Sequence, residues 1–187
     1  MLKNALAFSH QLLQDQVEKG DLVIDATLGN GKDALFLSNL VGKEGKLIGF
    51  DIQVQALAKT QERLEAESCP AKTTLFLAGH ENMASYCQKD SAKAIVFNLG
   101  YLPGSDKTLT TQARTTIEAV EAGLNILQLG GLMTLMVYAG HSEGQVEKEE
   151  LEVYLQGLDQ SNYTVFKYQP LNQKNTPPYL LAIEKLA

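Results

Sequence analysis

Two aspartates that bracket a glycine-rich turn have the residue types and spacing for ligand chemistry. Asp25 ends an apolar run, Gly29 and Gly31 follow it, and Asp33 lies in the segment of helical spacing that comes next. Glycine permits the positive φ angles of a sharp turn and lets a ligand approach the backbone closely. The order of apolar run, glycine turn and helix is typical of the first strand, loop and helix of a nucleotide-binding α/β fold.

The charges around this turn favour a cationic ligand over a diphosphate. Residues 29–34 fit the G-x-G-x-x-G/A dinucleotide pattern, and Asp51 ends the next apolar run, twenty residues after Gly31. An NAD-dependent oxidoreductase is therefore one interpretation. A pyrophosphate at this helix N-terminus would, however, face the carboxylates of Asp25 and Asp33. S-adenosylmethionine (SAM) carries an ammonium and a sulfonium, and would be attracted instead.

The predicted SAM site gives a role to each part of the turn. Asp25 attracts the α-amino group directly or through water, and the N–H groups near Asn30 and Gly31 bind the carboxylate. Asp51 accepts hydrogen bonds from both ribose hydroxyls. The alternative is a structural turn whose carboxylates only cap the helix. The other residues of these loops assigned to the cofactor are Thr27, Gly29, Asp33 and Gln53.

A polar loop after the third predicted strand is expected to reach the adenine ring. It contains His80, Glu81 and Asn82, and one of these side chains would hydrogen-bond the N6 amine. An ordinary cap for a short helix near residues 83–88 is an equal alternative.

The end of the fourth predicted strand carries a second group of chemical side chains. Asn98 follows the apolar residues 92–97, and Tyr101 comes three positions later. Ligands in open α/β sheets bind beyond the carboxyl ends of strands, so Asn98 should face the reactive group. An amide oxygen, a stacking ring and the backbone at Leu99 and Gly100 are the parts needed to hold an amine. Asn98 and Tyr101 are the catalytic candidates.

A G-x-S-x-G pattern at residues 140–144 raises a hydrolase alternative that chain order argues against. α/β-Hydrolases present serine, acid and histidine in that order. His10, His80 and His141 all precede Ser142 in this chain. Ser142 is more simply explained as the cap of the acidic helix that follows. His10 is interpreted as a surface or packing residue. It would become a functional candidate only if it lay close to the ligand pocket.

Size and composition predict one cytoplasmic domain spanning residues 1–187. No apolar run approaches the roughly 20 residues that span a bilayer, and the N-terminus does not have the pattern of a signal peptide. Cys69 and Cys87 show neither disulfide-framework nor metal-ligand spacing, so no metal is predicted. The net charge of −6 argues against a broad nucleic-acid-binding face. Contact with RNA would be local or shared across an oligomer such as a homodimer.

Hydrophobic spacing predicts alternating helices and strands. A helix at residues 2–17 is expected to pack on the sheet edge, and another from Ile52 to Ala66 to turn Ile52 toward the sheet. A later helix is expected to continue until Gly130-Gly131 breaks it. Residues 162–169 and 179–184 alternate in polarity, which predicts a final antiparallel hairpin. The other predicted strands begin at residues 22, 46, 73, 92 and 132.

The loop at residues 170–178 is a candidate for RNA contact. The amides of Asn172 and Asn175 could hydrogen-bond a base edge, and Lys174 a phosphate. A plain proline-stiffened loop is at least as good an explanation. The remaining residues assigned to substrate binding are Lys107, Arg114 and His141.

Five segments together resemble one known family. They are residues 25–33, 50–53, 79–82, 98–104 and 172–179, and the likeness covers essentially the whole chain. The family is the small class I methyltransferases first labelled rRNA methylases. Its members in Gram-positive bacteria have since been assigned as tRNA 5-(aminomethyl)-2-thiouridine methyltransferases, the MnmM or YtqB-like group.

The resemblance implies a Rossmann-like class I methyltransferase fold: a seven-stranded, mostly parallel sheet with one antiparallel strand and helices on both faces. It implies SAM as donor, a tRNA anticodon stem-loop as partner and the aminomethyl group of the wobble uridine as acceptor. Methyl would pass in line to a neutral amine that Asn98 orients, while Tyr101 stacks on the base or lines the pocket. The alternatives are rRNA or a small substrate as acceptor, and a SAM-binding scaffold without activity.

Overall fold

Helices and strands alternate along the chain, as the hydrophobic spacing predicts. The computed structural model describes residues 1–100, 111–138, 142–174 and 177–187, and for residues 142–147 the backbone alone. The helices are α1 (Ala5–Gln16), α2 (Lys32–Val41), α3 (Val54–Ala66), α4 (Ala113–Ile126) and α5 (Ser142–Gln156). The strands are β1 (Leu22–Asp25), β2 (Lys46–Asp51), β3 (Lys72–Leu77), β4 (Ala92–Leu99), β5 (Leu127–Val137), β6 (Tyr163–Tyr168) and β7 (Tyr179–Lys185). None of the helices in these ranges is both long and apolar enough to cross a bilayer.

The strands form one sheet in the order β3-β2-β1-β4-β5-β7-β6. Strand β7 runs antiparallel to β5 and β6, and all the other neighbouring pairs are parallel. This confirms the mostly parallel sheet with one antiparallel strand and the final antiparallel hairpin. The strand order reverses between β1 and β4, and such a reversal opens a crevice at the carboxyl ends of the strands.

The sheet is buried on both faces. Helices α1, α2 and α3 cover one face with side chains such as Leu13, Leu37 and Leu64. Helices α4 and α5 cover the other face with side chains such as Leu124 and Leu151. Burying a leucine contributes roughly 1.5–3 kcal/mol. Cover on both faces also explains why the central strands are continuous apolar runs without alternation.

Helix α1 lies across the sheet and not along its edge, which corrects the prediction. It packs over β5 and β7. The side-chain amide of Gln16 donates to the carbonyl of Gly130 at 3.0 Å, and the rings of Phe8 and Tyr168 lie 4.5 Å apart. The cause is the C-terminal hairpin, because β7 and β6 extend the sheet beyond β5. The surface under α1 is therefore interior to the sheet.

Three predicted element boundaries are wrong. Helix α3 begins at Val54, so Ile52 precedes it and is exposed. The short helix after β3 is a 3-10 helix at His80–Ser85. Gly130-Gly131 lie inside β5, where the pairing with β4 shifts from Ala92–Leu127 to Ala94–Leu132. This bulge accommodates residues that the spacing alone assigned to the end of α4.

Lys185, at the end of β7, is buried and joins β7 to the start of β5. Its ammonium donates to the carbonyls of Leu124 and Leu127 at 3.1 and 2.8 Å, and to Asp90 at 2.7 Å.

We expect Lys185→Met to lower the free energy of unfolding by about 2–3 kcal/mol, because buried carbonyls lose their charged donor. Urea unfolding measures this. Lys89→Ala is the control, since exposed Lys89 meets the same Asp90 at 3.7 Å and such surface pairs contribute little to stability. Equal losses in both variants would contradict this account.

Candidate active site

The predicted site residues meet at the carboxyl ends of three neighbouring strands. Asp25 ends β1, Asp51 ends β2, and Asn98 is the second-last residue of β4. Since β1 lies between β2 and β4, the three side chains border the crevice where the strand order reverses. These residues were predicted because ligands in open α/β sheets bind beyond the carboxyl ends of the strands, and the structure has them at those ends.

The glycine turn is held by its own backbone. Gly29 and Gly31 have φ angles of 53° and 71°, and the N–H of Gly31 donates to the carbonyl of Leu28 at 2.8 Å. A Cβ on Gly31 would lie 2.8 Å from the Cα of Thr60, so glycine is required for space as well as for φ. The Gly31 N–H is thus engaged within the turn. The other N–H groups near Asn30 and Gly31 stay the predicted donors to a ligand carboxylate. The carbonyl of Asn30 accepts from Arg63 at 2.8 Å.

Asp51 is fixed by two backbone donors. Its two carboxylate oxygens accept from the N–H of Gly29 at 3.0 Å and the N–H of Gln53 at 2.9 Å. Each oxygen retains a lone pair, so the group can still accept from two hydroxyls. Ile52 and Leu77 are exposed beside it, 61% and 56% respectively. Apolar side chains of that size at a strand end can be covered by a flat ring.

Asp25 is completely buried with one oxygen unsatisfied. Oδ1 accepts from the N–H of Thr27 at 3.1 Å, whereas Oδ2 has no hydrogen-bond partner among the described residues. Burial raises the pKa of Asp25 to about 8, and the charges of Asp33 and Asp51 raise it further in the same direction. The charge pattern of the sequence predicts an ionised Asp25, but the unliganded side chain is largely protonated at neutral pH. A cation placed nearby would favour its ionised form.

Asp33 links Asn98 to a histidine of the first helix. The side-chain amide of Asn98 donates to Asp33 Oδ2 at 2.6 Å, and His10 Nε2 lies 2.7 Å from Asp33 Oδ1. The backbone N–H of Asn98 donates to Thr27 Oγ1 at 2.7 Å. His10 thus has the proximity to the site that its sequence position could not reveal, because it precedes Asp33 by 23 residues.

The loop after β3 divides into a buried and an accessible part. His80 is buried, its ring meets the edge of Phe97 with centroids 5.7 Å apart, and burial lowers its pKa. His80 is therefore a buried, neutral side chain that packs against Phe97. Asn82 donates to Glu81 at 3.0 Å, and both lie nearer the surface. Of the three predicted adenine contacts, Glu81 and Asn82 are the accessible ones.

Leu99, Gly100 and Tyr138 lie on the side of the site where the acceptor is predicted to bind. The side chain of Leu99 is fully buried, so any contact of Leu99 with a substrate is through its backbone, which is the role predicted for it. Gly100 has φ +146°, and a Cβ there would lie 3.6 Å from Cβ of Tyr138. Tyr138 follows β5 and is partly exposed, and burial together with Asp33 raises its pKa. Tyr138 is not among the residues predicted from the sequence, although the strand-end rule that selected Asn98 applies to it equally.

The other predicted substrate residues lie outside this cluster or outside the described residues. Arg114 is exposed at the start of α4, where it pairs with Glu118 at 2.9 Å. Asn172 and Lys174 are exposed between β6 and β7. No hydrogen bond or ion pair among the described residues joins any of these three side chains to Asn98. The predicted residues that lie outside the described ranges are Tyr101, Lys107, His141 and Asn175.

Comparison with known proteins identifies the family. The family model described as "Putative rRNA methylase" matches residues 47–184. The chain belongs to this family. It is also 36% identical over 184 residues to the tRNA (mnm5s2U34)-methyltransferase, chloroplastic, of Arabidopsis thaliana, an alignment that covers 94% of this chain and 67% of the relative.

Solved structures of similar proteins confirm the fold class. A "putative rRNA-methylase" from Clostridium thermocellum is 41% identical, with a TM-score of 0.97 and complete coverage of both chains. A "putative methyltransferase" from Streptococcus mutans, solved in complex with SAH, is 42% identical, with a TM-score of 0.90 and complete coverage of both chains. The predicted Rossmann-like class I methyltransferase fold is therefore correct, and membership of this family leaves the dinucleotide and hydrolase alternatives without support.

The raised pKa of Asp25 predicts how stability depends on pH. The native state keeps this proton up to about pH 8, whereas the unfolded state releases it near 3.8. The stabilisation is therefore fully present below pH 3.8 and is lost as the pH rises through 8. We expect the unfolding free energy of the wild type, measured in urea without ligand, to fall relative to that of Asp25→Asn between pH 5 and 8. Asp15→Asn, at an exposed position of α1, is the control. A constant difference between wild type and Asp25→Asn would show that Asp25 is ionised throughout.

Proposed function

We propose that this protein methylates the aminomethyl group of a 5-aminomethyl-2-thiouridine at the wobble position of tRNA, with SAM as the methyl donor. The chemical class, SAM-dependent methyl transfer, follows from the family and the fold. The observation that carries the choice of acceptor is the relative named tRNA (mnm5s2U34)-methyltransferase, which aligns with 94% of this chain. A methylaminomethyl product requires a methyl group on an exocyclic amine, and the amide of Asn98 suits such an acceptor.

The residues of the crevice fit SAM. The carboxylate of Asp51 is oriented by two backbone donors and can accept from ribose hydroxyls. The exposed side chains of Ile52 and Leu77 offer an apolar surface for adenine. The unsatisfied Oδ2 of Asp25 lies buried behind the glycine turn, and a cationic ligand would favour its ionisation. Because Asp25 is fully buried in this conformation, it would act on the ligand through its charge and not by direct contact.

Asn98 is the proposed orienting group for the acceptor amine. When bound, SAM would supply an electrophilic methyl carbon: the amine lone pair would form the new C–N bond, and the C–S bond would break with its electron pair returning to sulfur. The amine must be neutral to supply that lone pair, so one proton leaves the ammonium before transfer. An amide oxygen on Asn98 accepts an N–H of the neutral amine and directs its lone pair away from the amide. Holding the two reactants in line supplies much of the rate.

The RNA footprint in this proposal is small. A net charge of −6 does not favour a broad electrostatic interface. The exposed Asn172 and Lys174 between β6 and β7, with Arg114 at the start of α4, are the proposed local contacts to the anticodon stem-loop. In the same proposal, Tyr101 stacks on the base. The protein acts in the cytoplasm, where the tRNA is.

Methyl transfer to defined tRNA tests the proposal. Purified protein is incubated with SAM and with tRNA that carries 5-aminomethyl-2-thiouridine, and the nucleosides are analysed by mass spectrometry. We expect one methyl group to be added to that nucleoside. Asn98→Ala should lower kcat by about 10²–10³-fold, because the amine loses its oriented acceptor. Its SAM affinity should be retained.

Two results would contradict the proposed acceptor. Methyl transfer to another tRNA nucleotide or to rRNA would reassign the substrate. SAM binding without transfer to any RNA or small amine would favour the scaffold alternative. A tRNA whose wobble uridine lacks the aminomethyl group serves as the matched substrate control, and it should receive no methyl at that position.

Asp51→Ala should weaken SAM binding. The loss of charge-assisted hydrogen bonds to the ribose is expected to cost about 1–3 kcal/mol of binding free energy, or roughly 5–150-fold in Kd. Isothermal calorimetry measures this change. Asp51→Asn is the matched variant of equal size, and urea unfolding of both variants shows whether the loop at Gly29 survives the loss of its acceptor. Unchanged SAM affinity in a folded Asp51→Ala protein would remove Asp51 from the cofactor site.

A further inference from the structure

A chain of hydrogen bonds connects helix α1 to the end of strand β4. His10 Nε2 lies 2.7 Å from Asp33 Oδ1, and the side-chain nitrogen of Asn98 lies 2.6 Å from Asp33 Oδ2. Both oxygens of one carboxylate are thus occupied by side chains from two different elements. The proposed function uses Asn98 but assigns nothing to His10 or to this connection.

The carboxylate decides which way the Asn98 amide points. An ionised carboxylate only accepts hydrogen bonds, so the amide atom that faces Asp33 must be the NH₂ group. The amide oxygen then faces away from Asp33 and remains available to accept an N–H. With the opposite orientation, Asn98 would present an NH₂ group to the acceptor amine and could not accept its hydrogen. The orientation of this one amide therefore matters for an amine acceptor.

His10 is built into a fixed position next to Asp33. Its ring stacks on Phe36, with centroids 4.0 Å apart and an angle of 12° between the planes. Phe36 lies three residues after Asp33 on α2, and residues three apart share one helix face. The stack and the hydrogen bond together fix both the plane of the imidazole and the side-chain rotamer of Asp33. About a third of the His10 side chain remains exposed.

We propose that His10 is a positioning residue for methyl transfer, which acts through Asp33 to hold the Asn98 amide with its oxygen toward the acceptor nitrogen. This inference rests on the proposed function and deepens it. Without the donor on His10, one oxygen of Asp33 loses its partner and the carboxylate can rotate about its side chain. The Asn98 amide then samples both orientations, and only one of them holds the amine.

Kinetics of three variants test the inference. His10→Ala should lower kcat by about tenfold or more while the Kd for SAM stays within about twofold, because the acceptor is misplaced and the cofactor is not. His10→Gln keeps an N–H donor of similar reach and should recover most of that loss. Gln14→Ala, at an exposed position of the same helix, is the control and should match the wild type.

Three kinetic results would overturn the positioning role. The first is an unchanged kcat in folded His10→Ala. The second is a loss of SAM affinity equal to the loss of rate, which would place the effect on the cofactor loop. The third is a folded His10→Gln protein that stays as slow as His10→Ala, since the imidazole would then do something that an N–H donor cannot. Urea unfolding of each variant separates these outcomes from loss of the fold.

A spectroscopic measurement keeps the inference separate from the proposed function. The side-chain amide signals of Asn98 in a ¹⁵N–¹H spectrum are assigned by their disappearance in Asn98→Ala. We expect His10→Ala to shift these signals in the unliganded protein, and Gln14→Ala to leave them in place. If the wild type fails to methylate the aminomethyl tRNA, the proposed function fails, but the spectra still test the connection. Unmoved Asn98 signals in His10→Ala would overturn the inference whatever the substrate.

Discussion

Two aspartates at the carboxyl ends of adjacent parallel strands lie close to a third in the first turn of α2, and the accommodation of their negative charge is the constraint on which this site depends. Each carboxylate is accommodated differently. Asp25 is buried and keeps its proton, because burial raises its pKa to about 8. Asp51 receives two backbone N–H donors. Asp33 receives one donor from His10 and one from Asn98. A proton thus stabilises Asp25, backbone N–H groups stabilise Asp51, and side-chain donors stabilise Asp33.

This arrangement suits a ligand that carries positive charge. A cation next to the glycine turn would stabilise the ionised form of Asp25, whose second oxygen has no hydrogen-bond partner among the described residues. A diphosphate would add negative charge at the same place. The site still favours a cationic ligand over a diphosphate, as the sequence predicts, but the physical reason is different. The unliganded site does not present two free negative charges, since Asp25 is largely protonated and Asp33 is already hydrogen-bonded at both oxygens.

Residues at strand ends were predictable, and residues brought in by other elements were not. Asp25, Asp51 and Asn98 follow apolar runs, so the rule for open α/β sheets selects them without coordinates. His10 lies on a helix before the first strand, and no local pattern relates it to Asp33. Tyr138 also satisfies the strand-end rule, but the G-x-S-x-G pattern that follows it is the more conspicuous signal in that segment.

The sequence by itself determined the alternation of helices and strands, the glycine turn and the family, because these depend on local spacing and on residue types. Only the tertiary structure decided that α1 lies over β5 and β7 and not at the sheet edge, that His80 and Leu99 are buried, and that Asp25 keeps its proton. The physical reason is that burial and charge–charge distances arise from contacts between segments far apart in the chain. For example, the pleat of β4 turns the side chain of Leu99 into the core, and the residues around Leu99 in the sequence do not show this.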